Sequence, residues 1–259
     1  MSESSILSTL STITSWTIFA PTDDALATYG IASLSLDALE YHLVPNCIFP
    51  TPNFLNKAFL TTAQGNDVIA LQSENGININ TAKVLNTVTF DGGNILIIDA
   101  VLVPPANVVN VARAAGLTSL LDAATTADLT DALAGLQNVT ILAPINDAFA
   151  SIASLSTALT QDQLKQVLLY HIIPGIIHST DIFAARSIPS QPTLDGTQVL
   201  SITSDGDNVY ISGTGNSFPA SVVTSDVLAD HVLIHIIDTV MIPNFHTPYS
   251  VIGALGARK

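Results

Sequence analysis

Three short patterns occur twice along this 259-residue chain, in the same order. The offset between the copies grows from 123 residues, Ala20 to Ala143, to 139 residues, Asp99 to Asp238, so the copies differ by loop insertions. A repeat of this length is a whole domain, because stacked repeats run to about 20–50 residues. The paired patterns are Thr17–Leu26 with Thr140–Phe149, Tyr41–Pro45 with Tyr170–Pro174, and Ile97–Pro104 with Ile236–Pro243.

Each pattern predicts a local structure. The first is a buried strand stopped by proline and followed by a helix, which Thr22 or Asp23 can cap in the first copy and Asn146 in the second. The middle pattern places a Tyr-His pair at the end of a helix. The last is a core strand followed by Asp99 or Asp238. Helices come first and antiparallel strands later in each copy, which predicts an α+β fold.

These patterns resemble the two signature boxes of the fasciclin, or FAS1, family and the Tyr-His pair between them. The match covers both halves of the chain. The chain as a whole resembles secreted fungal or algal fasciclin-like proteins. The resemblance implies two tandem FAS1 domains, each a wedge-like β-sandwich of about seven strands with several helices packed around it. We place the first domain at residues 1–104, the second at 105–243 and a C-terminal tail at 244–259.

The two copies differ in what precedes the first box. About 32 residues, Ala106 to Gln137, form a predicted region of three short helices before the second copy, but only Met1 to Trp16 precede the first. We therefore expect the first domain to lack one or two N-terminal helices. Residues 1–5 have no basic or apolar signal-peptide region. The family resemblance implies an extracellular, cell-surface or cell-wall location, with a leader removed.

Charge and hydropathy exclude several partners. Seven basic against 21 acidic side chains give a net charge of −14. Nucleic acids and anionic membranes are bound through clustered Lys and Arg, so neither is an expected partner. No apolar run reaches the roughly 20 residues of a membrane span. The 48% hydrophobic fraction is enough for a sizeable core in each domain.

The Tyr-His pairs, Tyr41–His42 and Tyr170–His171, are the first candidate binding residues. In the fasciclin family this region has been linked to cell adhesion. The alternative is structural, with a buried histidine bonded to the backbone and a packed tyrosine whose hydroxyl is satisfied. Asp181–Ile182, in the second domain, resembles the Asp-Ile integrin-contact dipeptide of animal members.

No set of residues typical of catalysis or metal binding emerges. His231 and His235 lie on a predicted strand, where four residues span roughly 13 Å, too far for one ion. His235 matches the histidine of the second signature box, where the first domain has Leu96. Asp205–Asn208 lacks the ligand spacing of a calcium loop and is predicted to be a hairpin turn. We predict a protein that is not an enzyme and needs no metal or cofactor.

Two further positions are candidates for covalent modification. Cys47 is the only cysteine, so no intramolecular disulfide forms, and we expect burial rather than cross-linking. Asn138-Val139-Thr140 is an acceptor sequence for N-glycosylation at the entry to a predicted buried strand.

The sequence favours a non-catalytic extracellular adhesion or matrix-interaction module that binds a cell-surface or matrix protein or glycan. One alternative is an apolar small-molecule binder, because some fasciclin proteins carry carotenoids and the mean hydropathy is +0.48; a lipid is the other ligand of this kind. A second alternative is cell-wall polysaccharide binding, for which one Trp and five Tyr offer few stacking platforms.

Overall fold

A computed structural model describes residues 14–30, 34–49, 56–153, 159–196 and 198–245. Contacts divide the chain into two compact units, residues 1–106 with 228–231 and residues 107–227 with 232–259. The expected lack of helices before the first box concerns residues 1–13, which lie outside the described residues. Most of the predicted tail, 244–259, does so too. No helix in the described ranges is long and apolar enough to span a membrane.

In its described part the first domain has seven strands and two helices. They are β1 (Trp16–Pro21), α1 (Asp23–Tyr29), α2 (Leu36–Tyr41), β2 (Leu43–Pro45), β3 (Lys57–Thr61), β4 (Asp67–Ser73), β5 (Gly76–Ile79), β6 (Ala82–Phe90) and β7 (Gly93–Ile98).

The second domain adds a group of helices before its first strand, as the sequence predicts. Its described elements are α3 (Val108–Ala114), α4 (Thr118–Thr126), α5 (Thr130–Ala134), β8 (Val139–Pro144), α6 (Asn146–Ser151), α7 (Gln161–Tyr170), β9 (Ile172–Pro174), α8 (Ser179–Ala185), β10 (Ser187–Pro192), β11 (Val199–Ser204), β12 (Val209–Ser212), β13 (Ala220–Ala229) and β14 (Val232–Ile237).

Each domain contains one hydrogen-bonded series of seven strands, and the predicted α+β class is confirmed. The orders are β2-β1-β7-β6-β5-β4-β3 and β10-β11-β12-β13-β14-β8-β9. The strands of the two signature boxes pair in parallel, with Ile18 opposite Ile95 in the first domain and Ile141 opposite Ile234 in the second. The two boxes thus form the centre of each domain.

The end strands of each series approach one another. The Ala63 amide, just after β3, donates to the Leu43 carbonyl of β2 at 2.7 Å, and the Leu194 amide, after β10, donates to Ile172 of β9 at 2.9 Å. Strand β6 makes the turn in the first domain, since its start pairs with β5 and the rest pairs with β7.

Both halves of each series face a common core. In the first domain Phe19 and Leu96 from the central strands meet Val68 and Ile79 from the outer ones. In the second, Leu142, Leu200 and Ile211 do the same. Burying each such side chain contributes about 1.5–3 kcal/mol. This arrangement gives the sandwich that the family resemblance implies.

The domains differ in how much of the central strand is covered. All six residues of β8 are buried, whereas in β1 only Thr17 and Phe19 are. Strand β8 lies between the core and the helices α3–α5, whose apolar side chains line a small cavity together with Ile141.

Candidate functional site

The first tyrosine of the Tyr-His pairs lies inside the core. Tyr41 is 1% exposed. Its hydroxyl donates to the Asp67 carbonyl at 3.0 Å and accepts from the Asn80 side-chain amide at 3.1 Å. Burial is the main cause that raises the pKa of Tyr41 to about 12. Tyr41 therefore joins the end of α2 to the β4–β5 hairpin.

Tyr170 makes the equivalent connection in the second domain. Its side chain is fully buried. The hydroxyl donates to the Val199 carbonyl at 3.2 Å and accepts from the Thr214 amide at 3.1 Å. The end of α7 is thus tied to β11 and to the loop that follows β12.

His42 links two distant segments of the first domain through both ring nitrogens. Nδ1 lies 2.6 Å from the Ala38 carbonyl, and Nε2 accepts from the Leu102 amide at 3.0 Å. The amide can only donate, so Nε2 carries no proton and Nδ1–H donates to Ala38. Burial lowers the pKa of His42, which favours this neutral form.

His171 repeats this geometry. Nδ1 lies 2.7 Å from the Val167 carbonyl, and Nε2 accepts from the Met241 amide at 2.9 Å. Burial lowers the pKa of His171 to about 4. In both domains the histidine therefore fastens the end of a helix to the last part of the second signature box, just after its strand.

All four side chains of the Tyr-His pairs face the interior, so none of them offers a contact to a partner in this conformation. Their hydrogen-bond partners account for the pattern in structural terms. A role of this region in adhesion stays a prediction.

The aspartates of the second box have the same role in both domains. Oδ1 of Asp99 accepts from the Lys83 amide at 2.7 Å, and Oδ1 of Asp238 accepts from the Ser221 amide at 2.8 Å. Each carboxylate holds the neighbouring strand, β6 or β13, near its start. Both carboxylates are exposed. Among the hydrogen bonds of the described residues, neither is bonded to a second carboxylate.

The first boxes differ in their helix caps. Thr22 caps α1 by accepting from the Ala25 amide at 3.2 Å, as predicted, and Asp23 is the first residue of the helix. The prediction that Asn146 caps the following helix is wrong. Ile145 occupies the cap position, and α6 begins at Asn146 itself, because the second copy has isoleucine where the first has Thr22.

Asn146 instead holds the preceding helical layer. Its Oδ1 accepts from the Ser119 amide at 3.0 Å and its Nδ2 donates to the Gly116 carbonyl at 2.9 Å. The side chain therefore fixes the turn between α3 and α4.

A buried polar cluster at His235 escaped the sequence reasoning. Asp226, 4% exposed, accepts from the Ser179 amide at 2.9 Å through Oδ1 and from the Ser179 hydroxyl through Oδ2. The Asp226 amide donates to Nδ1 of His235 at 3.2 Å, and Nε2–H of His235 donates to the Ile177 carbonyl at 2.9 Å. The sequence feature that could have revealed this cluster is Asp226, the one charged residue of strand β13.

This cluster acts as a structural clasp. The Asp226 carboxylate caps the first turn of α8 from strand β13, where a negative charge is favourable. The Ser179 hydroxyl donates to the carboxylate, and both nitrogens of His235 are bonded to backbone groups.

The Asp181–Ile182 dipeptide is divided between surface and core. Ile182 is 1% exposed and packs in the core of the second domain. The Asp181 side chain is 65% exposed, 3.5 Å from Nδ1 of His178. Only Asp181 is therefore available to a partner.

The glycosylation sequence also has a structural explanation. The Asn138 side chain is exposed. The buried Thr140 hydroxyl donates to the Gly175 carbonyl at 2.8 Å and accepts from the Ile177 amide at 2.9 Å. Thr17 in the first domain makes an equivalent pair of bonds, to the Cys47 carbonyl and from the Phe49 amide, so this threonine has a structural role in both domains. Glycosylation at Asn138 stays a prediction.

The remaining candidates are structural. The carboxylate of Asp205 accepts from the Asn208 and Asp207 amides and the Tyr210 hydroxyl, which lower its pKa to about 2. This confirms the predicted hairpin turn between β11 and β12. Cys47 is partly buried beside the first core, and burial raises its pKa. Across the described ranges no group of three or more His, Cys, Asp or Glu could hold a metal.

An apolar cavity of about 30 Å³ lies between the helices α3–α5 and strand β8. One water needs roughly 10–15 Å³ of such volume, so the cavity has room for about two. A carotenoid or a lipid chain is many times larger.

Comparison with known proteins identifies this architecture. The profile described as "Fasciclin domain" matches residues 1–104 and 115–243. A fasciclin-like arabinogalactan protein of Cercospora beticola is 28% identical over 86% of this chain and 56% of its own length. The pig transforming growth factor-beta-induced protein ig-h3 is 29% identical over 89% of this chain and 35% of its own length. The chain thus spans about half or less of these relatives.

A solved FAS1 domain pair from the insect cell adhesion molecule Fasciclin I covers 92% of both chains, with a TM-score of 0.48 and 17% identity. The matched profile includes both copies of the repeat and both signature boxes in each copy. The chain therefore belongs to the fasciclin domain family and contains two copies of that domain.

Proposed function

We propose that this chain is a non-catalytic adhesion or matrix-interaction module of an extracellular or cell-surface protein. The observation that carries the proposal is the difference between the shared and the divergent residues of the two fasciclin domains. The residues shared by both copies hold each domain together, while exposed candidate residues occur where the copies diverge. Relatives named as fasciclin-like arabinogalactan proteins support this class of function.

The surface of α8 in the second domain is the best-supported contact site. Ile182 anchors the helix in the core, and Asp226 caps its first turn. At its other end the Arg186 amide donates to Ile182 at 2.9 Å and the Arg186 carbonyl accepts from Ser204. Asp181 is thus presented on a helix fixed at both ends. A partner that binds it does not have to order a loop, which saves entropy.

A charged group on the partner fits this site. Asp181 is exposed, and the chain as a whole carries a net charge of −14. A cationic group of a cell-surface or matrix protein is therefore favoured electrostatically. A glycan would contact the same surface through hydrogen bonds to the carboxylate.

The proposal is tested by attachment of cells to the immobilised chain, with Asp181→Ala compared with Asp162→Ala. Asp162 is also exposed and lies in the first turn of α7, so it is a matched control. We expect Asp181→Ala to weaken attachment about tenfold, equivalent to about 1.4 kcal/mol, and Asp162→Ala to leave it unchanged.

Treatment of the cells with protease or glycosidase then assigns the partner as protein or glycan. Absence of attachment to the whole chain and to both variants would contradict the adhesion function. Equal attachment to the unchanged chain and to both variants would rule out α8 as the contact site but would agree with the adhesion function.

Two alternatives stay predictions. An absorption spectrum of protein from its native source would reveal a bound carotenoid, although the cavity of about 30 Å³ would have to expand greatly to hold one. Polysaccharide binding would use exposed aromatic rings. Tyr41 and Tyr170 are buried, so the platforms are fewer than the sequence suggested.

A further inference from the structure

The turn between β4 and β5 contains the one Asn-Gly pair of the chain, Asn75-Gly76. Ser73 pairs with Gly76, so Glu74 and Asn75 alone connect the two strands. Gly76 has a φ of +109°, a conformation that residues with a side chain rarely adopt. The hairpin therefore favours glycine directly after Asn75, as turns of this kind commonly do.

An Asn-Gly pair has a reactivity of its own. The Gly76 amide nitrogen, once it has lost its proton, can attack Cγ of Asn75 and close a five-membered ring. Ammonia leaves, and the product is a cyclic imide. Water then opens the ring at either of its two carbonyls, which gives aspartate in one case and isoaspartate, linked through its side chain, in the other. Overall one water is consumed and one ammonia is released, and nothing is oxidised or reduced.

The surroundings of Asn75 leave this reaction unhindered. Asn75 is exposed, and its side-chain amide makes no hydrogen bond within the described ranges. A Cβ built on Gly76 would have no heavy atom within 4 Å apart from its chain neighbours, so the space beside the attacking nitrogen is open. The bonds of the Ser73 hydroxyl across the turn are long, at 3.2 Å from the Asn75 amide and 3.3 Å to the Gly76 carbonyl. Such a turn opens more readily than the strands beside it.

The equivalent hairpin of the second domain, β11–β12, has its asparagine in a protected setting. Asn208 is followed by the buried Val209, whose branched side chain crowds the amide nitrogen. Nδ2 of Asn208 also donates to Oδ2 of Asp205 at 3.4 Å. Asp205 itself precedes a glycine, but the amides of Asn208 and Asp207 lower its pKa to about 2. Its carboxylate is therefore ionised at neutral pH, and a negative charge repels attack by a nucleophile.

We propose that Asn75 is a site of spontaneous covalent modification, at which the side-chain amide is lost through a cyclic imide and replaced by aspartate or isoaspartate. The reacting groups belong to two adjacent residues, and the one co-reactant is water. The modification therefore needs neither an enzyme nor a partner. This inference goes beyond the proposed function and does not depend on the α8 site.

Both products change the hairpin. Each places a second carboxylate beside Glu74 and makes the chain more negative by one charge. The isoaspartyl form also adds one carbon to the main chain at residue 75, which disturbs the pairing of Ser73 with Gly76. Val68 and Ile79 lie deeper in the hairpin and are buried in the core, so the change should stay at the turn. The modified fraction of the protein should thus increase with the age of the molecules.

Mass spectrometry of the full chain tests the proposal after storage in neutral or mildly alkaline water enriched in heavy oxygen. Trypsin, used afterwards in ordinary water, cleaves after Lys57 and Lys83 and releases residues 58–83. This peptide should carry one heavy oxygen atom, at residue 75 alone, and the conversion should quicken with pH because the attacking nitrogen must lose its proton. An isoaspartyl methyltransferase should label the isoaspartyl product. Three other asparagines of the same peptide serve as internal standards: Asn66, Asn78 and Asn80.

Two variants locate the reaction. Asn75→Gln should slow the conversion about tenfold or more, because the added carbon requires closure of a larger and less favourable ring. Asn78→Gln is the matched control, since Asn78 lies in the same hairpin, on β5, and is followed by isoleucine. It should leave the rate at Asn75 unchanged. Circular dichroism establishes that both variants are folded.

A synthetic peptide of residues 72–79 gives the rate of the same reaction without the fold. The folded chain should convert within about tenfold of that rate, because the turn opens locally. An unchanged folded chain, at a time when the peptide has converted fully, would overturn the inference, since the hairpin would then protect Asn75. Equal uptake of heavy oxygen at Asn66, Asn78 or Asn80 would overturn it as well, because the turn would then have no special reactivity.

Discussion

The two domains share the interior of the fold and differ on its outside. His42 and His171 make the same two hydrogen bonds, and Asp99 and Asp238 hold the same neighbouring strand. The second domain alone has helices α3–α5 within the described residues and the Asp226 cluster. Within one chain, then, repetition marks the residues that specify the fold, while the layers around that common interior differ between the copies.

The largest effect should come from the buried histidine of the second domain. His171→Leu leaves the Met241 amide and the Val167 carbonyl without partners, and each unsatisfied buried group costs about 1–3 kcal/mol. We expect a loss of about 3 kcal/mol in the free energy of unfolding. His42→Leu should cost the first domain a similar or smaller amount.

Urea unfolding separates these losses. Trp16 emission reports the first domain, and circular dichroism reports both. His42→Leu should lower the urea midpoint seen by Trp16, while His171→Leu should move only the dichroism. If His171→Leu left the midpoint unchanged, the shared hydrogen bonds would not be what holds each domain together.

Acidification should destabilise both domains through the same histidines. The folded pKa of His171 is lowered to about 4 from an ordinary 6.5, so the unfolded state binds the proton more readily. The stabilisation is complete above pH 6.5 and is lost as the pH falls toward 4, by up to about 3 kcal/mol. Melting temperatures of the unchanged chain and of His171→Leu, measured from pH 7 to 4, should converge. Parallel curves would count against this mechanism.

The Asp226 cluster should affect the second domain only. Asp226→Ala removes the cap of α8 and leaves the Ser179 amide unpaired, at a cost of about 2 kcal/mol. Ser179→Ala retains the cap and should cost about half as much. Hydrogen exchange of the α8 amides should quicken in both variants, while exchange in α1 stays as it was. Faster exchange in α1 as well would show that the effect is not local.

The smallest effects should distinguish the first boxes. Thr22→Ala removes a helix cap and should cost about 1 kcal/mol, with faster exchange of the Ala25 amide. Asn146→Ala should cost a similar amount but expose the Ser119 amide of α4 instead. Faster exchange at the start of α6 after Asn146→Ala would restore the capping role that the sequence suggested.

Much of the scaffold could be predicted from the sequence because its signals are local. Thr160 and Gln163 form the reciprocal cap of α7, and the hairpin at Asp205 follows from its turn residues. The role of Asn146 could not be predicted. The residue equivalent to Thr22 is Ile145, so Asn146 lies one position later and is the first residue of the helix instead of its cap. Its hydrogen-bond partners lie 27 and 30 residues away in the sequence.

The candidate site was predicted less well than the fold. A dipeptide such as Asp181–Ile182 does not reveal that one side chain enters the core while the other stays outside. Ser179 and Asp226 are 47 residues apart, so only the folded chain brings them together. Sequence patterns identified the strand of His235 but not the carboxylate next to it.

The meeting of the end strands has a consequence for how copies can associate. Exposed strand edges invite another chain to add a strand, and this is the usual route to fibrous aggregates. Here the bonds from Ala63 to Leu43 and from Leu194 to Ile172 bring the two ends of each series together. Prolines at 189 and 192 further withhold donors along β10. At high concentration, molecules of this protein should therefore associate reversibly through side chains and should not add strands to one another's sheets.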